Sequence, residues 1–136
     1  MALTPEQIKR REITQQEYDK LRDDETIEDI FDFMAYYAMC RHGDGPIEGG
    51  MEDQEIVEAF ATRREESKKI DWYLNSIAQG HRLLAMTPFP WKGIGMRAGL
   101  LWPRGYNETQ VQEWLEDQLK LLEAEAKKRG WLYLVR

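Results

Sequence analysis

Residues 83–102 read LLAMTPFPWKGIGMRAGLLW, and the fold class turns on what this stretch becomes. Leu83 to Met86 is a short apolar run. Pro88, Pro90, Lys92 and Gly93 interrupt it, and Ile94 to Trp102 resumes it with Gly95 and Gly99 inside. Short apolar runs bounded by proline and glycine predict two strands joined by a proline-bearing loop. The internal glycines then mark a bulge or a close backbone approach. Pro103 to Gly105 turns the chain.

Downstream, Asn107 and Gln110 form a capping box with Tyr106 and Val111 as its hydrophobic staple. Val111, Trp114, Leu115, Leu119, Leu122 and Ala126 line one face of the helix that follows. Lys127, Lys128 and Arg129 complement its dipole, and Gly130 ends it. Trp131 to Arg136 (WLYLVR) has strand composition. Strand, helix and strand in that order predict a β-α-β unit over residues 94–136.

Upstream the pattern is helical. Residues 1–12 lack periodicity and read as a flexible arm, leaving 13–136 as a single α+β domain. Thr14 with Glu17, and Thr26 with Asp29, give two helix-start signals. Ile27, Ile30, Phe31, Met34, Ala35 and Ala38 recur at helical spacing. One helix over 14–40, or two with a break near Asp24, both fit. His42 to Gly50 is a loop with four glycines and a proline. Asp53 is placed to cap the next helix, and Gly80 to end it. The polar run Thr62 to Lys69 either bridges solvent or breaks the helix. The expected fold is therefore two or three N-terminal helices packed with a small two- to three-stranded sheet and a long C-terminal helix.

The chain has 136 residues, 42% hydrophobic and 32% charged, a net charge of −6 and mean hydropathy −0.69. That length suffices for one core without a disulfide. The lone Cys40 excludes an intramolecular pair and fits a reducing compartment. There is no apolar run long enough to cross a membrane and no signal-peptide pattern at the start, so a cytoplasmic location is expected. Two asparagines beside sixteen glutamates is a thermophile tendency, which eight glutamines offset.

Charge is segregated along the chain. Residues 1–71 carry nineteen Asp or Glu against ten Lys or Arg, a balance of −9. Residues 72–107 contain no acid and four bases, Arg82, Lys92, Arg97 and Arg104. The same basic stretch holds Trp72, Tyr73, Phe89, Trp91, Trp102 and Tyr106. Trp, Tyr and Arg dominate protein-binding hot spots, because each buries a large area with few torsions. Phe89, Trp91, Lys92, Arg97, Trp102 and Arg104 are accordingly the candidate protein-binding residues. The same types also stack on single-stranded nucleic acid, but the acidic remainder repels phosphate, which ranks nucleic acid below protein. Asp23, Asp24, Glu25, Glu28 and Asp32, in a stretch where only Lys20 and Arg22 oppose the acids, form a candidate acidic docking face.

Catalytic readings are weaker. Cys40, His42 and Asp44 are too close in sequence to converge as nucleophile, base and orienter. Cys40, His42 and His81 lack the paired spacing of a zinc site, and no metal or cofactor is expected. Glu25 with Glu28 and Glu55 with Glu58 stand at i, i+3, and two such pairs on facing helices could hold Mg²⁺. Asp71 to Leu74 resembles a patch of the all-α nucleotide pyrophosphatases, although the chain departs from that family's acidic pattern at most positions. The expectation is thus a non-catalytic accessory protein, an adaptor, regulator or inhibitor docking on a larger machine. A phage protein acting on a host nucleic-acid-handling complex is one source that fits. A self-associating virion or assembly component, with a homo-oligomer, and a Mg²⁺-dependent pyrophosphatase-like enzyme are the alternatives.

Overall fold

The structure, a computed structural model, describes residues 2–41, 50–101 and 104–131. Among the described residues, six α-helices account for the architecture: α1 (Pro5–Arg22), α2 (Glu28–Arg41), α3 (Asp53–Glu66), α4 (Ile70–Leu84), α5 (Trp91–Ala98) and α6 (Glu108–Lys128). Among the described residues there is no strand, so the α+β class, the small sheet and the β-α-β unit are all overturned. Residues 132–136, part of the expected last strand, lie outside the described residues, as do His42 to Gly49 and Trp102.

The correction centres on α5. Its two glycines serve helix packing instead of a strand bulge. At Gly93, a Cβ would stand 2.7 Å from Leu21 Cδ1 and 3.1 Å from the Tyr18 backbone nitrogen on α1. On the other side, a Cβ at Gly95 would stand 2.8 Å from Leu101 Cδ2. Gly99 then ends the helix at φ +73°, with the Leu100 N–H donating to the Gly95 carbonyl at 2.8 Å. A helix with bare patches on two faces imitates, in sequence, a glycine-interrupted strand.

The first helix starts earlier than Thr14. Thr4 accepts from the Gln7 N–H at 3.2 Å, while Gln7 Oε1 accepts from the Thr4 N–H at 2.9 Å, and Pro5 occupies the first helical position. The residues read as an arm are therefore helical from Pro5. Thr14 lies mid-helix, its hydroxyl donating to the Arg10 carbonyl. At the other end Asp24 accepts from the Thr26 N–H at 2.9 Å and caps a 3₁₀ turn, Glu25–Ile27, that separates α1 from α2. The polar run breaks α3 from α4 at Lys68, which has φ +58°. Glu52, one residue before Asp53, is the N-cap of α3. Gly80 does not end α4; it is buried mid-helix under the Leu119 side chain of α6. The Asn107–Gln110 capping box and the Gly130 terminus of α6 form as the sequence indicates.

Packing is built around α2, which contacts α1, α3, α4 and α5, while α6 lies across α3, α4 and α5. Aromatic rings fill the centre. Phe33 meets Phe60 edge-on at 5.0 Å, and Tyr37 meets Trp114 likewise at 5.0 Å. Tyr73 is fully buried, and its hydroxyl donates to the Leu122 carbonyl at 2.6 Å. Burial pushes that phenol far above its ordinary range, so it stays a neutral donor. Gln79 of α4 accepts from the Ile30 N–H at 3.0 Å, satisfying an orphan donor at the start of α2.

A partly buried ion pair at the end of α6 is tied to α3 by hydrogen bonds from its arginine. Arg129 Nε donates to Glu125 Oε2 at 2.6 Å, and the same guanidinium reaches the Thr62 hydroxyl of α3 at 2.9 Å. The Glu125 side chain is 2% exposed. Removing one partner of such a pair strands a charge in low dielectric. Arg129→Met is therefore expected to lower unfolding free energy by about 3 kcal/mol in urea titrations. The double variant Glu125→Leu/Arg129→Met should recover most of that loss; a single variant as stable as the parent would contradict the pair's role.

Candidate functional site

Between the N-terminal half of α1 and the start of α5 runs a groove of about 310 Å³. Its apolar and aromatic lining is Leu3, Trp91, Leu101 and Tyr106, its charged lining is Arg10, Arg11 and Lys92 with Gln7 and Thr14 among them, and no carboxylate lines it. Trp91 is half-buried, with one side against the core and its ring 5.6 Å from Lys92 Nζ. Proline at position 90 starts α5 just before Trp91, so this side chain is carried on the first turn of a helix rather than on a loop.

The groove exists because α5 holds α1 in place. The Gly93 N–H donates to Glu17 Oε1 at 2.9 Å. Arg97 reaches three ways: its Nε donates to the Phe31 carbonyl at 3.2 Å, its Nη1 donates to the Tyr18 hydroxyl at 2.9 Å, and its guanidinium lies 4.3 Å from the Phe31 ring centre. Asp32 stands 4.0 Å from the same guanidinium. Arg97 thus knits α1, α2 and α5 together.

The other candidate binding residues are dispersed. Phe89 is half-buried against the core. Arg104 turns into a separate cleft with Tyr37 and Tyr106. Trp72 is exposed on α4, with Lys69 Nζ 4.1 Å from its ring centre. Leu3, Arg10 and Arg11 are among the groove residues that sequence reasoning missed. Their only signal was a basic cluster in a segment without periodicity.

The acidic residues gather at the α1–α2 corner. Arg22 pairs with Asp23 at 3.1 Å, and Glu25 and Glu28 are exposed. Hydrogen bonds from the Thr26 hydroxyl and N–H hold the Asp24 carboxyl below the usual carboxylate range, with Arg82 of α4 adding a weaker pull. Arg97, 4.0 Å from Asp32, and the weak attraction that Arg82 exerts on Asp24 set the basic stretch against the acidic one within the molecule. The α1 side of the groove ends at Thr14, nine residues before Asp23, so groove and corner are separated by about 14 Å along the helix.

The catalytic candidates do not converge. Helices α2 and α3 run antiparallel, with Tyr37 beside Asp53 and Phe33 beside Phe60. That register puts Glu28 level with the end of α3 and leaves Glu55 and Glu58 at the opposite end. Among the described residues no group of three or more His, Cys, Asp or Glu could hold a metal. His81 Nε2 stands 2.6 Å from Glu123 Oε1 and links α4 to α6. His42 and Asp44 lie outside the described residues. Asp71 and Trp72 are exposed, whereas Tyr73 and Leu74 belong to the core. No helix of the described residues is long and apolar enough to cross a membrane. No protein-family model, curated protein or solved structure matches the chain.

The Asp24 cap carries a pH signature. A carboxyl whose folded pKa is lowered contributes stability that is present above the ordinary Asp range and lost as pH falls through the folded value. Asp24→Ala is expected to cost about 1 kcal/mol near neutral pH, as for other N-cap losses. The two proteins should converge in urea titrations at acid pH; a difference independent of pH would show that the ionised carboxylate is not its source, and equal stability at neutral pH would show the cap to be unimportant.

Proposed function

We propose that this is a non-catalytic interaction protein, a small adaptor, regulator or inhibitor that docks on a larger protein through the groove between α1 and α5. One observation carries the reading: a groove with Trp91 in its apolar lining has only basic residues among its charged ones, on a molecule of net charge −6. The partner that suits it is an acidic segment carrying an apolar side chain. Burying that side chain on Trp91 supplies affinity, and the rim cations select the flanking acids. The acidic corner about 14 Å further along α1 repels the same segment, so the segment would be steered to one end of the helix. Three rim cations are few for a phosphate backbone, which favours protein over nucleic acid.

The test uses charge reversal. Lys92 occupies the first turn of α5, where glutamate is favoured by the helix dipole, so Lys92→Glu should keep its melting temperature. Selection from a displayed random-peptide library is expected to enrich acidic peptides with an aromatic or aliphatic residue. Lys92→Glu and Arg10→Glu should each weaken their binding at least tenfold, about 1.4 kcal/mol. Enrichment of peptides without acids, or binding indifferent to both variants, would overturn the proposal. Light scattering that shows a defined oligomer, dispersed by the same variants, would instead assign the groove to a second copy of the chain.

A further inference from the structure

Gln7, Arg10, Arg11, Thr14 and Gln15 recur at i, i+3, i+4, i+7 and i+8, so they stand along one face of α1. The first four line the docking groove. Next to it lies a second hollow of about 370 Å³, lined by Arg11, Thr14, Gln15 and Met96. The two share Arg11 and Thr14, and Met96 stands one turn along α5 from Lys92, so they form one trough. From Gln7 to Gln15 the trough follows about 12 Å of helix, and Leu3 prolongs it. Glu6 and Glu12, the acids of this half of α1, line neither hollow. Residues 2–13 are all exposed, which leaves this half of α1 uncovered by the described residues.

The lining decides the form of what fits. Arginine and lysine side chains can only donate hydrogen bonds, and no carboxylate lines either hollow. The neutral polar groups are partly spent: the Thr14 hydroxyl donates to the Arg10 carbonyl at 2.8 Å, and Gln7 Oε1 accepts from the Thr4 N–H at 2.9 Å. So is the backbone beside them, where the Gly105 N–H donates to the Leu101 carbonyl and the Tyr106 N–H to the Leu100 carbonyl, each at 3.0 Å. Among the described residues there is no strand whose edge a segment could join. An extended segment laid in the trough would therefore bury N–H groups that find no acceptor, at a cost for each. A helix bonds its own backbone and presents side chains alone.

We infer that the occupant of this trough is an acidic amphipathic α-helix of about three turns, packed against α1 and α5. The inference rests on the docking reading and adds the conformation of the partner. Apolar residues of that helix at i, i+3 or i+4, and i+7 meet Trp91, Leu101 and Met96. Acids flanking the apolar stripe reach Arg10 and Lys92.

The test takes the acidic peptides enriched against the full chain and asks how they bind. Their apolar residues are expected at helical spacing, not on alternate positions. Labelled with ¹³C and bound to the full chain, they should show helical Cα chemical shifts. Proline placed mid-peptide, away from the apolar residues, should weaken binding at least about tenfold, whereas alanine there should not. Gln15 and Gln16 are both exposed, and only Gln15 lies on the trough face. Gln15→Glu should therefore weaken binding about fivefold, and Gln16→Glu should leave it nearly unchanged. Bound peptides that are extended, or that tolerate the proline, would overturn the helix, while their sensitivity to Lys92→Glu would keep the docking reading. Indifference to Gln15→Glu would confine the occupant to the first hollow and overturn the three-turn helix. A library that enriches no acidic peptide would overturn the docking reading and this inference with it.

Discussion

The approach of α1 to α5 across Gly93 is the contact on which the placing of the first helix, and with it the groove, depends. Of the residues of α1, Thr14 and Leu21 alone are buried, and α1 packs mainly on α5. Backbone must come close to backbone for so little apolar surface to hold a helix. A side chain at position 93 would intrude between them, so the missing Cβ lets the Gly93 N–H reach Glu17 and lets Arg97 reach Tyr18 and Phe31. Without that seating the α1–α5 groove has no wall.

The sequence spoke clearly where local chemistry decides the outcome. The Asn107–Gln110 box, the Gly130 terminus and the α2 stripe are written in residue types at fixed spacing, and all three form. It misled where one pattern serves two structures. Gly93, Gly95 and Gly99 punctuate an apolar run equally well as a strand with bulges or as a short helix pressed against neighbours on two sides. Nothing local separates these, because the deciding atoms belong to α1 and to Leu101. Gly80 misled for the same reason: its partner, Leu119, is distant in sequence. For the first helix two capping signals compete, Thr4-Pro5-Glu6-Gln7 and Thr14-Gln15-Gln16-Glu17. The first prevails because proline at the first helical position adds to the box, and Thr14 is left to back-bond to Arg10.

The segregation of charge along the chain becomes intelligible once the helices are packed. The four cations of residues 72–107 go to four places: Arg82 to the exposed face of α4, Lys92 to the groove, Arg97 into the α1–α2–α5 junction, and Arg104 to the cleft with Tyr37 and Tyr106. Arg97 faces Asp32 within the molecule, and Lys92 and Arg104 furnish concave surfaces. The groove's remaining cations, Arg10 and Arg11, come from α1, a helix whose other end is acidic. Tyr106 lines both the groove and the cleft, so the turn before α6 borders both concavities. The site residues legible in the sequence were those in the aromatic-basic stretch; the α1 half of the groove depends on contacts between distant segments.

The most direct test of the account is the substitution Gly93→Ala, measured by urea unfolding and by amide hydrogen exchange over residues 5–22. Helix propensity alone would stabilise α5 by up to about 1 kcal/mol. If α1 is seated against a bare backbone, alanine instead overpacks the contact and stability falls by about 1–3 kcal/mol. Exchange in α1 should then rise while α3, α4 and α6 keep their protection. Stability equal to or above the parent, with α1 still protected, would contradict the close packing on which both the fold and the groove rest.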